Sequence, residues 1–219
     1  MDSGQQARGE AEAEEQGEVT MALEAAGLRR AAVFLDYENI KNCNGRTLLP
    51  DAVISVIRND LAKFGTPSFI NVYLAAGLPE SQAPVSNGLV YRVFKAGGTA
   101  VLCPSFRNGT NAPKNLADPT AIIDIGESLF AHPEMTRYVL ATGDKDFIPA
   151  VRKLRKYDKE VRLYHGDSLS AHLRDEVLLG LTSEESPSAG DGAFLGVVSL
   201  GEVIERGMCT VSLVSKEAR

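Results

Sequence analysis

Apolar residues gather in five short runs, Ala31–Leu35, Phe69–Ala75, Thr99–Cys103, Tyr138–Thr142 and Val161–Tyr164. Most are rich in β-branched or aromatic residues, which predicts strands buried on both faces of a parallel sheet. Amphipathic stretches separate them. Asp51–Phe64 places Val53, Ile54, Ile57, Leu61 and Phe64 at helical spacing, and Gly65 stops the helix. Leu89, Val90, Val93 and Phe94 repeat the pattern ahead of Gly97-Gly98. Asp118-Pro119 predicts a third helix start, with Asp at the N-cap and Pro in the first turn. Phe147–Tyr157 is predicted as the next helix. Strand and helix alternate through five rounds. The class is therefore α/β, a three-layer α/β/α arrangement with a mainly parallel five-stranded sheet and right-handed crossovers.

The flanks read differently. Residues 1–28 are rich in Glu, Gln, Gly and Ala and predict a disordered acidic tail ahead of a domain over 29–181. Residues 182–192 read as a linker. Residues 193–219, with a short helix expected near Leu200–Glu205, are too few to fold alone. Docking on the domain, pairing with a protein partner and staying loose all remain open for them. The net charge of −6 is concentrated in the tail, because residues 1–30 carry seven acids and three arginines. The remainder is close to neutral, which gives weak long-range steering toward nucleic acid but leaves room for a local basic patch.

Cys43, Cys103 and Cys209 are far apart and odd in number, which argues against a disulfide framework. His132, His165 and His172 are too scattered for a zinc site. There is no apolar window long enough for a membrane helix and no basic-then-apolar N-terminal pattern. The expectation is an intracellular, cytoplasmic protein with no membrane partner.

Topology now places the acids. In a parallel sheet every strand ends at one edge and every following helix begins there, and ligands bind at that edge. Asp36 directly follows the first run. Asp144 and Asp146 follow the fourth, and Asp118 opens the helix after the third. If the first and fourth strands are neighbours, their acids converge. Two such charges about 4 Å apart repel by roughly 4 kcal/mol at an effective dielectric near 20. A cluster of this kind must take up protons or a cation. Ligands that are all oxygen favour Mg²⁺ or Mn²⁺. Each acid also has a plainer reading: Asp118 as a helix cap, Asp144 and Asp146 as turn formers. Asn39 fits either a helix cap or a support for the first acid. Asp124, six residues into its helix, interrupts an apolar face and is placed behind the other acids rather than among them.

The run Val33-Phe34-Leu35-Asp36-Tyr37-Glu38-Asn39-Ile40 resembles the opening strand of NYN domains, with their Asp-x-x-Asn pattern. Thr142-Gly143-Asp144-Lys145-Asp146-Phe147 resembles the Ser-Gly-Asp-Ser-Asp-Phe signature of the same family, and Asp118 and Asp124 keep its spacing of two acids on the intervening helix. The resemblance covers about Ala31 to Gly166. It implies a PIN-like fold with strand order 3-2-1-4-5 and metal-dependent ribonuclease chemistry. By that match Asp36, Asp118, Asp144 and Asp146 are the catalytic, metal-binding acids, supported by Asn39, Asp124 and Thr142. Thr142 and Lys145 stand where Ser is usual, and Pro119 where Val is common.

The implied reaction is hydrolysis of RNA phosphodiesters, with Mg²⁺ or Mn²⁺ activating a water and leaving a 5′-phosphate. Candidate substrate contacts are Arg107 and Lys114, in the acid-free loop 104–117, together with Lys145, Arg152 and Arg155. The last two belong to a basic stretch that continues through Lys153, Lys156, Lys159 and Arg162. RNA, single-stranded or structured, is the expected partner, and a homodimer remains open. Two other readings compete. One is a non-catalytic RNA-binding or scaffold module that keeps the fold. The other is another phosphate-handling α/β enzyme, such as a phosphatase; one with an aspartate nucleophile needs Asp-x-Asp where this chain has Asp36-Tyr37-Glu38.

Overall fold

The computed structural model describes residues 30–76, 87–106, 114–179 and 194–206. The expected tail and linker, and Arg107, lie outside these residues.

Six strands make the central sheet: β1 (Ala31–Asp36), β2 (Pro67–Ala75), β3 (Thr99–Cys103), β4 (Arg137–Ala141), β5 (Glu160–His165) and β6 (Gly196–Ser199). Their order is β6-β5-β4-β1-β2-β3, and every pairing is parallel. The five expected strands thus run in the order 3-2-1-4-5, but the count of five is corrected to six. The seven helices among the described residues are α1 (Tyr37–Ile40), α2 (Pro50–Leu61), α3 (Asn87–Lys95), α4 (Ala117–Ala131), α5 (Ile148–Lys156), α6 (Ala171–Leu179) and α7 (Leu200–Glu205).

Strand parity sorts the core into two layers. Val33 and Leu35 of β1 pack with α2, α3 and α7, through Val53, Ile57, Val93, Leu200 and Val203. Ala32 and Phe34 point the other way, toward Ala121 and Ile125 of α4, Val151 and Leu154 of α5, and Leu173 of α6. All six β1 residues are buried, as expected for the central strand of a sheet covered on both faces. Asp36 has the parity of Phe34, so it faces α4 and α5.

The sixth strand comes from the segment whose role the sequence left open. Gly196–Ser199 pairs in register with Arg162–His165. Arg162, expected within a surface basic stretch, is instead buried. It donates to Asp60 Oδ2 (2.6 Å), to the Tyr164 hydroxyl oxygen (2.9 Å) and to the Phe194 carbonyl (3.0 Å). Burial pushes the Asp60 carboxyl up, but hydrogen bonds from Tyr164 and Arg162 outweigh it and hold the group below its ordinary range. Arg137 adds a second tie, its guanidinium lying 4.7 Å from the centre of the Phe194 ring.

Two local expectations shift. The helix expected over Asp51–Phe64 ends at Leu61 and tightens into a 3₁₀ turn over Ala62–Phe64 before Gly65, whose φ is 112°. Phe94, grouped with the buried face of α3, is 76% exposed, whereas Val93 is fully buried.

Candidate metal centre

β1 and β4 are neighbours, so the segments that follow them meet at one edge of the sheet. Asp36 ends β1 and is only 3% exposed. Thr142 and Gly143 follow β4, both buried, and lead to half-buried Asp144. The tight turn Lys145–Phe147 then presents Asp146 on the surface. Asp118 lies in the first turn of α4 rather than at its cap, because the helix begins one residue earlier and Leu116 occupies the cap position.

One carboxylate oxygen from each of Asp118, Asp144 and Asp146 lies within 4.8 Å of the others. Asp36 stands beside this trio and hydrogen-bonds the Asp118 carboxyl. Burial raises its pKa from 3.8 to about 7. The Asp118 charge adds to the rise, while the Asn39 backbone N–H and the Thr142 hydroxyl oppose it. The energetic conflict expected from converging acids is therefore present, and at neutral pH it falls on Asp36.

A small scaffold of hydrogen bonds holds the edge in shape. The Thr142 hydroxyl donates to Asp36 Oδ2 (3.3 Å), and its oxygen accepts the Asp144 N–H (3.2 Å). Asn39 is not a cap: its side-chain oxygen accepts the Gly143 N–H (2.7 Å) and ties the end of β1 to the end of β4. Asp144 Oδ1 accepts the Asp146 N–H (2.9 Å), which fixes one acid against the next. Gly143 leaves no room for a side chain, since a Cβ there would collide with the Ser168 carbonyl.

Asp124 sits away from the trio, where its Oδ2 accepts the hydroxyl of Tyr73 (2.8 Å). Tyr73 is the β2 register partner of Asp36. Burial, then the hydrogen bond and charge of Asp124, push the Tyr73 hydroxyl well above its ordinary pKa. Tyr73 was not singled out from sequence. The available signal was a hydroxyl in the apolar run Val72-Tyr73-Leu74, which must find a buried partner. Cys103 was likewise missed. Burial raises its thiol pKa against the Thr120 hydroxyl that hydrogen-bonds it, and Asp124, Asp36 and Asp118 lie close enough to add to the rise.

The candidate substrate contacts divide. Lys145 is exposed between Asp144 and Asp146. Arg152 and Arg155 both hold buried Glu176, Arg152 through Nε and Nη2 (3.0 and 2.9 Å) and Arg155 through an ion pair and a bond to the main-chain oxygen (2.9 Å). The backbone of Lys114 and Asn115 forms a two-stranded ribbon with Ser105–Phe106.

The donor set fits a hard divalent cation: three closely spaced carboxylates, a fourth buried beside them, and no nitrogen or sulfur ligand in the group. Asp118, Asp144 and Asp146, with Asp36, are the residues that would hold it.

A model of the NYN domain family matches residues 30–178. Among solved structures, a protein of unknown function, VPA0982 from Vibrio parahaemolyticus RIMD 2210633, is similar at 20% identity with a TM-score of 0.54, covering 68% of this chain and 90% of that one. That likeness supports the α/β fold. An isochorismatase-like hydrolase from Alkaliphilus metalliredigens aligns at 9% identity and a TM-score of 0.31, over 82% of this chain and 96% of that one. No curated protein matches. No helix among the described residues is long and apolar enough to cross a membrane.

Proposed function

Since the chain belongs to the NYN domain family, we propose that it is a metal-dependent ribonuclease that hydrolyses RNA phosphodiester bonds at the acid cluster. The observation that carries this reading is the convergence of Asp118, Asp144 and Asp146 beside buried, proton-hungry Asp36. Mg²⁺ or Mn²⁺ held there would supply a Lewis acid and a water of lowered pKa. The chain's own residues do the positioning. Asn39 and Thr142 lock the ends of β1 and β4 together, so the carboxylates keep their spacing when a phosphate approaches. Asp144 orients Asp146 through its backbone amide. Exposed Lys145, between those two acids, is placed to meet a phosphate oxygen.

The test is cleavage of labelled single-stranded RNA by the purified protein with Mn²⁺, Mg²⁺ or EDTA, alongside Asp36→Asn and Asp144→Asn. Cleavage that requires metal and disappears in both variants supports the proposal. RNA bound without cleavage under either metal overturns it in favour of a binding module.

A further inference from the structure

Two rows of residues, exposed except at Gly126, run away from the acid cluster. On α4, Pro119, Ile123, Gly126 and Phe130 follow one another at intervals of four, three and four residues, so they share one face. On α5 and its approach, Pro149, Lys153 and Tyr157 recur every four residues and share another. The α4 row begins next to Asp118, and the α5 row three residues after Asp146. They close on each other at the far end, where the Phe130 and Tyr157 rings meet edge to face with centroids 6.0 Å apart.

This surface is unusual in three respects. Phe130 is 68% exposed and Ile123 59%, an apolar exposure that burial in a monomer does not explain. Lys153 Nζ lies 5.3 Å from the Tyr157 ring centre, so the aromatic pair carries a cation. Gly126 sits in mid-helix although a Cβ there would meet nothing within 4 Å. A mid-helix glycine is less favourable than alanine, and no packing constraint here requires it. It leaves open space between Ile123 and Phe130. Lys153 and Lys156 on α5 are exposed, and Arg152 and Arg155 share the one carboxylate of Glu176, so the flank is positive on balance. Glu127, four residues after Ile123 and three before Phe130, is exposed at the margin of this row, and with Asp124, Ser128, Ala131 and His132 it lines a cavity of about 390 Å³.

We propose that the surface carrying these two rows is the track for an unpaired RNA strand leaving the acid cluster, and that Phe130 and Tyr157 form a base-stacking platform at its end. Exposed aromatic rings beside lysines suit single-stranded nucleic acid, because every base has a face to stack and every linkage a charge to neutralise. A duplex buries those faces in its own stack. The axial distance from Asp118 to Phe130 is about 18 Å at about 1.5 Å per residue, so a strand must be several nucleotides long to engage both ends. This inference rests on the nuclease reading for the direction of the track.

The experiment measures binding in EDTA by fluorescence anisotropy, using labelled dinucleotide, single-stranded twelve-nucleotide and twelve-base-pair RNA, and cleavage of the single strands in Mn²⁺. The wild type is compared with Phe130→Ala/Tyr157→Ala and with Gly126→Leu, which fills the gap between Ile123 and Phe130 while favouring helix. Both variants are expected to lose about tenfold in affinity for the twelve-nucleotide strand and to leave dinucleotide and duplex binding unchanged. Unchanged single-strand affinity overturns the platform while metal-dependent cleavage still supports the nuclease. Binding that weakens in the variants without any cleavage keeps the platform and overturns the nuclease. A wild-type dimer that the double variant converts to monomer, with RNA affinity intact, assigns the patch to self-association and overturns the track.

Discussion

Asp36 gives the most direct test of the reasoning about the site. Its pKa stands at about 7 against 3.8 for an ordinary aspartate, chiefly because it is buried and also because Asp118 lies beside it. Between these values the native state binds a proton that the unfolded chain has released, so stability falls as pH rises. The contribution is nil below about pH 4 and reaches its full size above pH 7. At about 1.36 kcal/mol per unit, the cost of keeping Asp36 ionised at pH 8 is about 4 kcal/mol. Asp36→Asn removes the ionisation and keeps an oxygen for the Thr142 hydroxyl. In EDTA it should stabilise the protein by about 4 kcal/mol at pH 8, by under half of that near pH 5, and by almost nothing near pH 4. Urea unfolding followed by far-ultraviolet circular dichroism reads this directly. Asp118→Asn should bring part of the same gain, because it removes the neighbouring charge. With Mn²⁺ present the order should invert, since the wild type gains from binding and the variant gains less. An Asp36→Asn variant that is less stable than wild type at pH 8 in EDTA, or a gain that does not shrink on acidification, would refute the account.

Other predictions follow from the same contacts. Arg162→Met strands the buried Asp60 carboxylate and should cost about 3–5 kcal/mol by urea unfolding at pH 7, with the deficit narrowing as acid protonates Asp60. Gly143→Ala drives a methyl into the Ser168 carbonyl. It should cost about 1–3 kcal/mol and abolish metal-stimulated cleavage, because the shift breaks the Gly143–Asn39 bond and moves Asp144 off Thr142; a fully active, equally stable variant would count against this description. Tyr73→Phe leaves the Asp124 carboxylate without its hydroxyl donor and should lower stability by about 1–3 kcal/mol, with dinucleotide affinity in EDTA as the check that the acid edge is otherwise undisturbed.

The sheet was legible because buried parallel strands carry a local signature, and the acid edge was legible because topology turns strand ends into neighbours. Asp36, Asp144 and Asp146 needed only the adjacency of β1 and β4, which the pairing of Val33 with Val139 provides. What escaped depends on partners distant in sequence. Arg162 reads as one more surface cation until Asp60, Tyr164 and the Phe194 carbonyl are seen around it. Tyr73 reads as a strand aromatic until α4 brings Asp124 to its hydroxyl. Phe94 follows the apolar rhythm of α3 yet points outward, because Val93 takes the place against Ile54 and Ile57. β6 was hidden because a four-residue strand has meaning only beside a strand that lacks a neighbour.

That last feature makes the folding unit longer than the unit of descent. The family match stops at residue 178, whereas the sheet is finished by Gly196–Ser199 and roofed by Leu200 and Val203. Without this closing piece β5 would show a row of unpaired amides and carbonyls, next to an apolar trough vacated by Phe194, Val198 and Leu200. Such a margin is adhesive, and a chain trimmed to the family boundary would meet its own copies there. The C-terminal strand thus acts as a built-in selvedge, keeping the sheet from being extended by whatever extended segment passes by.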